Sequence, residues 1–351
     1  MTFDGYIQSV TQDEIVPKIV DTVLGSNVLA LTILSNSKPW NGETIKIPVK
    51  YQKNSTSQGA FDGFDTFDTT KVNTRVNMSF SPTGYYHSVV LSGMEIDVNT
   101  TQAQVLDLVK VEMESAMQDM TDSLGTILYG AQSGKNFLGL KDLVDDGNVT
   151  ATYGGLARAT YTGLNSTVTA ASGGALSLSV LGTQYDAATV GSARPNLGIT
   201  TETVWGLYES LAQPATNINQ DGYSKVTRAG VIPAREAALR GELGYDALWF
   251  RGMPLVKDEK CTSGYLYMLN TDFMDFYGLK SHKYAEVKLG DSKFHEGGAY
   301  AASVPNTYGF SWTGLKEPAN QYAEIGQFLL MGNFINRSPR LNSVLTGVTT
   351  V

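Results

Sequence analysis

The sequence contains one cysteine, no long apolar run and few charged residues. Cys261 alone excludes an internal disulfide framework and a zinc site built from cysteines, which fits a reducing compartment. No window reaches the ~18 consecutive apolar residues of a membrane span, and residues 1–30 lack the basic run and apolar core of a signal peptide. We therefore expect a protein that is soluble and cytoplasmic where it is made.

The low charge also limits the classes of partner. Charged residues make up 17% of the chain, against a usual ~25%, and the formal net charge is −8. Proteins that bind nucleic acid through their overall field present an excess of Lys and Arg to the phosphates, so this class is disfavoured. The 351 residues are 42% apolar and include 36 glycines, which indicates an ordered, loop-rich chain of two or three domains.

Motifs that carry chemistry are scarce. No two of His87, His282 and His295 have the i, i+4 spacing of a zinc-binding helix, and surface or packing roles explain them better. The stretch 130–136 resembles a phosphate-binding loop, but its glycine spacing is one residue short and Asn136 replaces the hydroxyl that binds the metal. The sequence therefore predicts a protein that is not an enzyme, with no catalytic, cofactor-binding or metal-binding residue.

One long helix is predicted over residues 99–130. Thr101 followed by Gln104 is typical of a capping box, and Gly125 and Gly130 are both placed to end the helix. At ~1.5 Å per residue this helix would span roughly 40 Å, more than twice the average length. Its apolar residues step by three or four and form one stripe: Leu106, Val109, Met113, Met117, Met120, Leu124 and Ile127. We expect this stripe to be buried and the helix to act as a spine for surrounding sheets.

Strand patterns precede the helix. Apolar and polar residues alternate over 43–51, which predicts a strand, and Pro48 places that strand at an edge or bulge. A second alternating run covers residues 71–92 around a turn at 81–84, which predicts a hairpin. Together the two runs predict an extended β excursion that leads into the helix.

The polar connection 52–70 carries aromatic residues at every third position: Phe61, Phe64 and Phe67. One interpretation is a solvated loop with incidental aromatics. Another is a calcium site formed by the aspartates that alternate with them, although an EF-hand spacing is absent. The interpretation we favour is that three phenylalanines on a long excursion are too unfavourable in water and cover another subunit.

The second half of the chain predicts a further core. Thr200 is placed to cap a helix, and residues 248–256 and 264–270 predict two strands of one sheet separated by a polar turn. Residues 326–345 predict a strand that returns to the sheet beside the 99–130 helix. The second domain is then an insertion within the first.

The order of these elements carries a family resemblance. An N-terminal arm, a β excursion, a long helix and an inserted second domain resemble the Hong Kong 97-type major capsid proteins of tailed bacteriophages. The Tyr-Gly-Gly-Leu-Ala-Arg stretch at 153–158 is similar to a turn that follows the long helix in many of these proteins. The stretches 243–254 and 266–270 are similar to strands of their axial domain.

The resemblance implies an α+β capsid fold with an inserted axial α/β domain. Its parts are an N-terminal arm over 1–40, an extended β loop over 41–92, a peripheral domain with the spine helix over 93–195, the axial domain over 196–304, and return strands of the peripheral domain over 305–351. In this fold the extended loop lies over a neighbouring subunit, which assigns Phe61, Phe64 and Phe67 to a subunit interface. The same packing implies that another subunit covers the arm leucines Leu29, Leu31 and Leu34, which have little to bury them locally.

The function implied is that of a major capsid protein, which self-assembles through hexamers and pentamers into the icosahedral head of a tailed double-stranded DNA bacteriophage. Such a protein is a virion component assembled in the host cytoplasm, has no cofactor, contacts no membrane and encloses DNA without sequence-specific binding. Because the arm begins near Met1, we expect a separate scaffolding protein and a portal as partners.

Two alternatives remain open. An encapsulin-type compartment shell has a similar fold but encloses a cargo enzyme. A secreted, β-rich carbohydrate-active protein would use Trp205, Trp249 and Trp312 to line a sugar site, but it would need an export signal and paired carboxylates.

Overall fold

The structure is a computed structural model that describes residues 28–35, 37–98, 102–212, 247–280, 285–286 and 309–350. Most of the predicted arm, His282, His295 and part of the 243–254 stretch lie outside these residues. Every statement below concerns the described part of the chain.

The described part of the chain contains six α-helices. They are α1 (Val28–Ser35), α2 (Gly93–Val98), α3 (Gln102–Tyr129), α4 (Leu140–Leu143), α5 (Leu178–Ala188) and α6 (Glu202–Ala212). Of these, α3 is the long helix that the sequence predicts.

The strands form two large sheets and two small ribbons. They are β1 (Lys38–Trp40), β2 (Ile45–Lys50), β3 (Arg75–Phe80), β4 (Thr83–Ser92), β5 (Thr152–Tyr153), β6 (Leu156–Ala157), β7 (Thr167–Ala170), β8 (Leu197–Thr200), β9 (Ala247–Phe250), β10 (Met253–Lys257), β11 (Leu266–Leu269), β12 (Met274–Leu279), β13 (Ala285–Glu286), β14 (Phe310–Trp312), β15 (Ala323–Asn336) and β16 (Ser343–Thr346). The predicted α+β class is confirmed.

The first sheet runs in the order β1, β12, β15, β14, β13, and β4 pairs with residues 323–332 of the long β15. The second sheet runs in the order β7, β16, β11, β8, β10, β9. Strand β7 precedes β8 to β11 in the sequence and β16 follows them. Both strands belong to this sheet, where β16 pairs with β11 on one side and with β7 on the other. The returning stretch 326–345 therefore joins both sheets, the first through β15 and the second through β16.

Helix α3 packs the described part of its apolar stripe into the main hydrophobic core, to which both large sheets contribute. Met120 and Leu124 are almost fully buried there, while Met113 and Ile127 are partly buried. The helix ends at Tyr129, and the Gly130 amide donates to the carbonyl of Ile127. Gly125, a small residue that is also a candidate stop signal, lies inside the helix. The predicted spine is confirmed over Gln102–Tyr129.

The predicted hairpin over 71–92 is wrong. Strand β3 pairs along its whole length with β2, from Phe80 opposite Ile45 to Arg75 opposite Lys50, and β4 pairs with β15 instead. Alternation shows which face of a strand is buried but not which strand lies beside it. The ladder between β4 and β15 joins residues more than 230 positions apart, and no local pattern encodes it.

Two local predictions in the second half also need correction. Residues 248–256 form a hairpin rather than one strand, because Arg251 and Gly252 adopt left-handed conformations with φ of 48° and 85° and turn β9 back onto β10. Thr200 does not cap a helix: it ends β8, is buried, and donates its hydroxyl to the carbonyl of Tyr265. Helix α6 follows after Thr201, whose carbonyl accepts from the Trp205 amide.

Candidate assembly surfaces

Strands β2 and β3 form a two-stranded ribbon whose distal ends are joined by residues 51–74. We call the ribbon and this connection the excursion. The connection contains no helix or strand, and nearly all of its residues are exposed. The ribbon itself is anchored because Ile45, Ile47 and Val49 pack against the main core and Met78 and Phe80 are buried in it.

The three phenylalanines of the connection lie in solvent in the isolated chain. Phe61 and Phe67 are 67% and 68% exposed and contact each other edge to face, with ring centroids 5.1 Å apart. Phe64 is fully exposed, at 106% of its reference area. Exposed apolar patches are typical of interaction sites, and the contact between Phe61 and Phe67 makes this stretch a candidate for one. The sequence pattern finds these residues, and the structure brings two of them together.

The aspartates between the phenylalanines bind backbone amides. Asp65 accepts the Asp62 amide at 2.8 Å, and Asp68 accepts the Thr70 amide at 2.8 Å. Hydrogen bonds from Thr70 lower the pKa of Asp68. Within the described residues no group of three or more His, Cys, Asp or Glu side chains is arranged to hold a metal ion. The carboxylates shape the turns of the connection.

The Tyr-Gly-Gly turn at 153–158 fastens the base of the excursion. Gly154 and Gly155, with φ of 58° and 77°, join β5 to β6, and the Gly154 carbonyl accepts the Ser79 amide of β3 at 2.9 Å. The buried Tyr153 hydroxyl accepts the Asn336 amide at 2.8 Å and donates to the Asn336 carbonyl at 2.9 Å. The turn therefore links the excursion to the end of β15.

Arg158, the last residue of this stretch, has a structural role. Its guanidinium is fully buried, lies 5.0 Å from the centre of the Tyr153 ring, and donates to the carbonyl oxygens of Asp142, Asp145 and Leu164. Burial lowers the pKa of Arg158. A cation that is enclosed by backbone carbonyls holds loops together and has no access to a substrate.

Replacement of Gly154 tests how tightly this turn is packed. In Gly154→Ala the new Cβ would lie 2.7 Å from the Cβ of Met78, whereas a Cβ at Gly155 would meet nothing within 4 Å. Both substitutions place alanine in the left-handed region, at about 1–2 kcal/mol. We expect Gly154→Ala to lose about 1–3 kcal/mol more through overpacking. Urea unfolding of both variants measures this difference, and equal losses would show that the contact with Met78 is unimportant.

Helix α1 is held to its own subunit by a buried carboxylate. Asp258 Oδ2 accepts the Leu29 amide at 3.3 Å and the Tyr129 hydroxyl at 2.8 Å, and Oδ1 accepts the Lys260 amide at 2.9 Å. Leu29 and Leu34 are buried at 1% and 3% exposure. The expectation that these arm leucines lie unburied until a neighbour covers them is wrong, because α1 packs on α3 and β12 of the same chain.

Asp258 gives this junction a pH dependence. Burial raises the pKa of Asp258, so the folded chain binds a proton there more tightly than the unfolded chain does. The resulting stabilisation is complete below the unfolded pKa of about 3.9 and is lost as the pH rises through the folded pKa. As the pH rises through this interval, we expect the free energy of unfolding of the unmodified protein to fall relative to that of the Asp258→Asn variant. Unfolding in urea at several pH values measures it, and a constant difference would contradict the assignment.

The loop at 130–136 does not offer a phosphate site. The Gln132 amide donates to Asp142 Oδ2 at 2.6 Å, and the Gly139 amide donates to the same oxygen at 3.2 Å. The carboxylate of Asp142 thus takes amides that a phosphate would need.

The tryptophans do not converge on a sugar site. Trp312 packs on Phe328 in the core of the first sheet, with ring centroids 4.3 Å apart. Trp205 packs with the core of the second sheet and donates its indole N–H to the Leu255 carbonyl. Trp249 lies on β9 and is partly exposed. The arrangement predicted for a carbohydrate-active protein is therefore not found.

Comparison with solved structures identifies the class of fold. The chain matches the cyanophage A-1(L) capsid asymmetric unit with a TM-score of 0.66 and 15% identity, over 97% of this chain and 98% of that one. It matches the capsid of Myoviridae phage XM1 with a TM-score of 0.54 and 10% identity, over 95% and 96% of the two chains. No protein-family model and no curated protein matches the sequence.

A similar match is found outside the phages. The holo-SrpI encapsulin complex from Synechococcus elongatus PCC 7942 matches with a TM-score of 0.56 and 11% identity, over 99% of this chain and 96% of that one. The chain therefore has the Hong Kong 97-type shell fold that phage capsids and this encapsulin share, as the sequence resemblance implied. No helix of the described residues is long and apolar enough to cross a membrane.

Proposed function

We propose that this chain is the major capsid protein of a tailed double-stranded DNA bacteriophage and self-assembles into its icosahedral head. The observation that carries the proposal is a capsid fold matched from end to end, combined with an excursion that presents bare aromatic residues to solvent. In a shell, such a surface is covered only when the subunits assemble. The chain acts as a structural protein rather than an enzyme.

Phe61, Phe64 and Phe67 form the contact of the excursion with a neighbouring subunit in this proposal. Their combined exposure is unfavourable in a monomer and becomes favourable once another copy covers the rings. The same contact repeats in hexamers and pentamers around closed rings. The domain bounds expected from the sequence, with an axial domain over 196–304, remain part of the proposal.

The further partners follow from the same function. A separate scaffolding protein and a portal are expected during assembly in the host cytoplasm, and the finished virion encloses DNA without reading its sequence. The net charge of −8 supports a container that does not adhere tightly to its contents.

The encapsulin match favours a second candidate, a compartment shell that encloses a protein cargo. The phage capsids rank first because the strongest of the structural similarities quoted above is to one of them.

Expression of the chain alone, followed by negative-stain electron microscopy and sedimentation, tests the proposal. We expect closed shells, tubes or capsomer rings. Coexpression with neighbouring genes of its source then distinguishes the candidates, because DNA-filled heads support the phage capsid and a single co-purified enzyme supports the compartment. A uniform monomer under all conditions would contradict both.

A further inference from the structure

The link between the first sheet and the excursion contains an asparagine that is followed by glycine. Asn41 and Gly42 join β1 to β2, and both residues are exposed. Gly42 has a φ of 90°, a conformation that favours glycine, so the turn itself calls for a residue without a side chain at this position. The sequence contains no other Asn-Gly pair. The backbone nitrogen that follows the Asn41 carboxamide is therefore unshielded.

The carboxamide of Asn41 is also not held in place. No described residue forms a hydrogen bond with that carboxamide or with the Gly42 amide. Other exposed asparagines are engaged: Asn73 Oδ1 accepts a backbone amide at 3.4 Å, and Asn148 Nδ2 donates to Asp146 at 2.8 Å. The Asn41 side chain can therefore turn back toward its own main chain.

We propose that Asn41 is a site of spontaneous deamidation in the folded chain. The Gly42 nitrogen loses its proton and attacks Cγ of Asn41, the bond between Cγ and Nδ2 breaks, and ammonia leaves with that proton. The product is a succinimide ring. Water then opens the ring at either of its two carbonyls, which yields aspartate or isoaspartate at this position. The reaction needs only water, so no oxidant, metal ion or second protein takes part.

Both products change the charge at the start of the excursion. Each replaces a neutral carboxamide with a carboxylate that is ionised near neutral pH. The chain, whose net charge is −8, gains one further negative charge. The new carboxylate lies two positions from Glu43, which is also exposed. Deamidation therefore leaves a mark that a charge-sensitive separation detects.

Isoaspartate has a further effect on the same turn. Its main chain passes through the former side chain, which adds one methylene between Trp40 and Gly42. Trp40 is buried at 3% exposure and donates its indole N–H to the Gly42 carbonyl at 2.9 Å. A longer chain between these two residues moves the carbonyl away from the fixed indole. We expect isoaspartate, but not aspartate, to release this contact and loosen the start of β2.

Peptide mapping by mass spectrometry tests the reaction. The purified full-length chain is incubated at neutral and at mildly alkaline pH, and the mass gained when a carboxylate replaces an amide is followed in each asparagine peptide. Conversion at Asn41 should rise in proportion to hydroxide, because the Gly42 amide must lose its proton. Asn320, which is exposed and precedes Gln321, is the comparison within the same sample and should react at least about tenfold more slowly. Asn41→Gln, whose longer side chain disfavours ring closure, should remain unmodified at this position.

Hydrogen exchange over residues 38–50 tests the structural effect. The incubated chain should exchange faster there than the Asn41→Asp variant, which carries the charge without the extra methylene. Treatment with protein isoaspartate methyltransferase, which labels isoaspartate and returns it toward aspartate, should slow the exchange again.

The contradicting results are separate for the two steps. If Asn41 reacts no faster than Asn320 in the folded chain but reacts rapidly in urea, the fold protects it and the inference is wrong. If the incubated chain contains isoaspartate but exchanges like Asn41→Asp, the release of the Trp40 contact is wrong. Neither result bears on the capsid function, which depends on the formation of shells.

Discussion

Deletion of residues 56–68 is expected to leave a folded subunit that no longer forms closed shells. The hydrogen bonds and ring contacts described for this stretch stay within residues 54–70, as in the contact between Phe61 and Phe67. The core therefore loses nothing, and the shorter loop closes at slightly lower entropic cost. We expect the free energy of unfolding to stay within about 0.5 kcal/mol of the parental value.

Assembly should fail because the deleted residues supply the apolar patch that another copy would cover. Circular dichroism and urea unfolding measure the fold, and electron microscopy measures the shells. A full-length variant with Phe61→Ser, Phe64→Ser and Phe67→Ser is the matched control, since it removes the rings and keeps the loop length. If either variant still forms shells as readily as the parent, the interface assigned to the phenylalanines is wrong.

The Asp275→Ala variant is expected to produce the largest loss of stability among single polar substitutions discussed for this chain. The Asp275 side chain is 4% exposed and pairs with Lys38 Nζ at 2.8 Å and with Arg337 Nε at 2.9 Å. It connects β1, β12 and the end of β15. Removal leaves two cations without their carboxylate, and because both are partly exposed we expect a loss of about 2–3 kcal/mol.

An exposed ion pair gives the comparison for Asp275. Asp186 pairs with Arg251 at 2.6 Å, but the two side chains are 69% and 47% exposed. Asp186→Ala should therefore lose less than about 1 kcal/mol. Chemical unfolding of the two variants measures both losses, and a smaller effect at Asp275 than at Asp186 would show that burial of the first carboxylate does not determine its contribution.

The sequence predicted the phenylalanines of the candidate interface. It did not predict how the ribbon that carries them is held to the core. Phe61, Phe64 and Phe67 are recognisable because apolar residues recur in an otherwise polar stretch. The pairing that anchors the excursion was not predicted, because residues such as Lys50 and Arg75 become neighbours only when β3 pairs with β2.

The burial of α1 shows the same limit. Leu29 and Leu34 lie in a short apolar run with little nearby in sequence to bury it, so the pattern predicted that the arm lies against another surface. The structure supplies those neighbours from α3 and β12, and it supplies the carboxylate at the start of the helix from Asp258, 229 positions away from Leu29. Contacts at such separation leave no periodic signal.

The sequence by itself determined the α3 helix, the alternating faces of β2 and β3, the exposed aromatic excursion and the α+β class. These features depend on hydrogen bonds and side-chain spacings within a few residues, which a local pattern records directly. Only the tertiary structure decided that β3 pairs with β2, that β4 pairs with β15, and that β16 crosses to the second sheet. Strand pairing is decided by the burial of whole faces against distant partners, and that information exists only once the chain is folded.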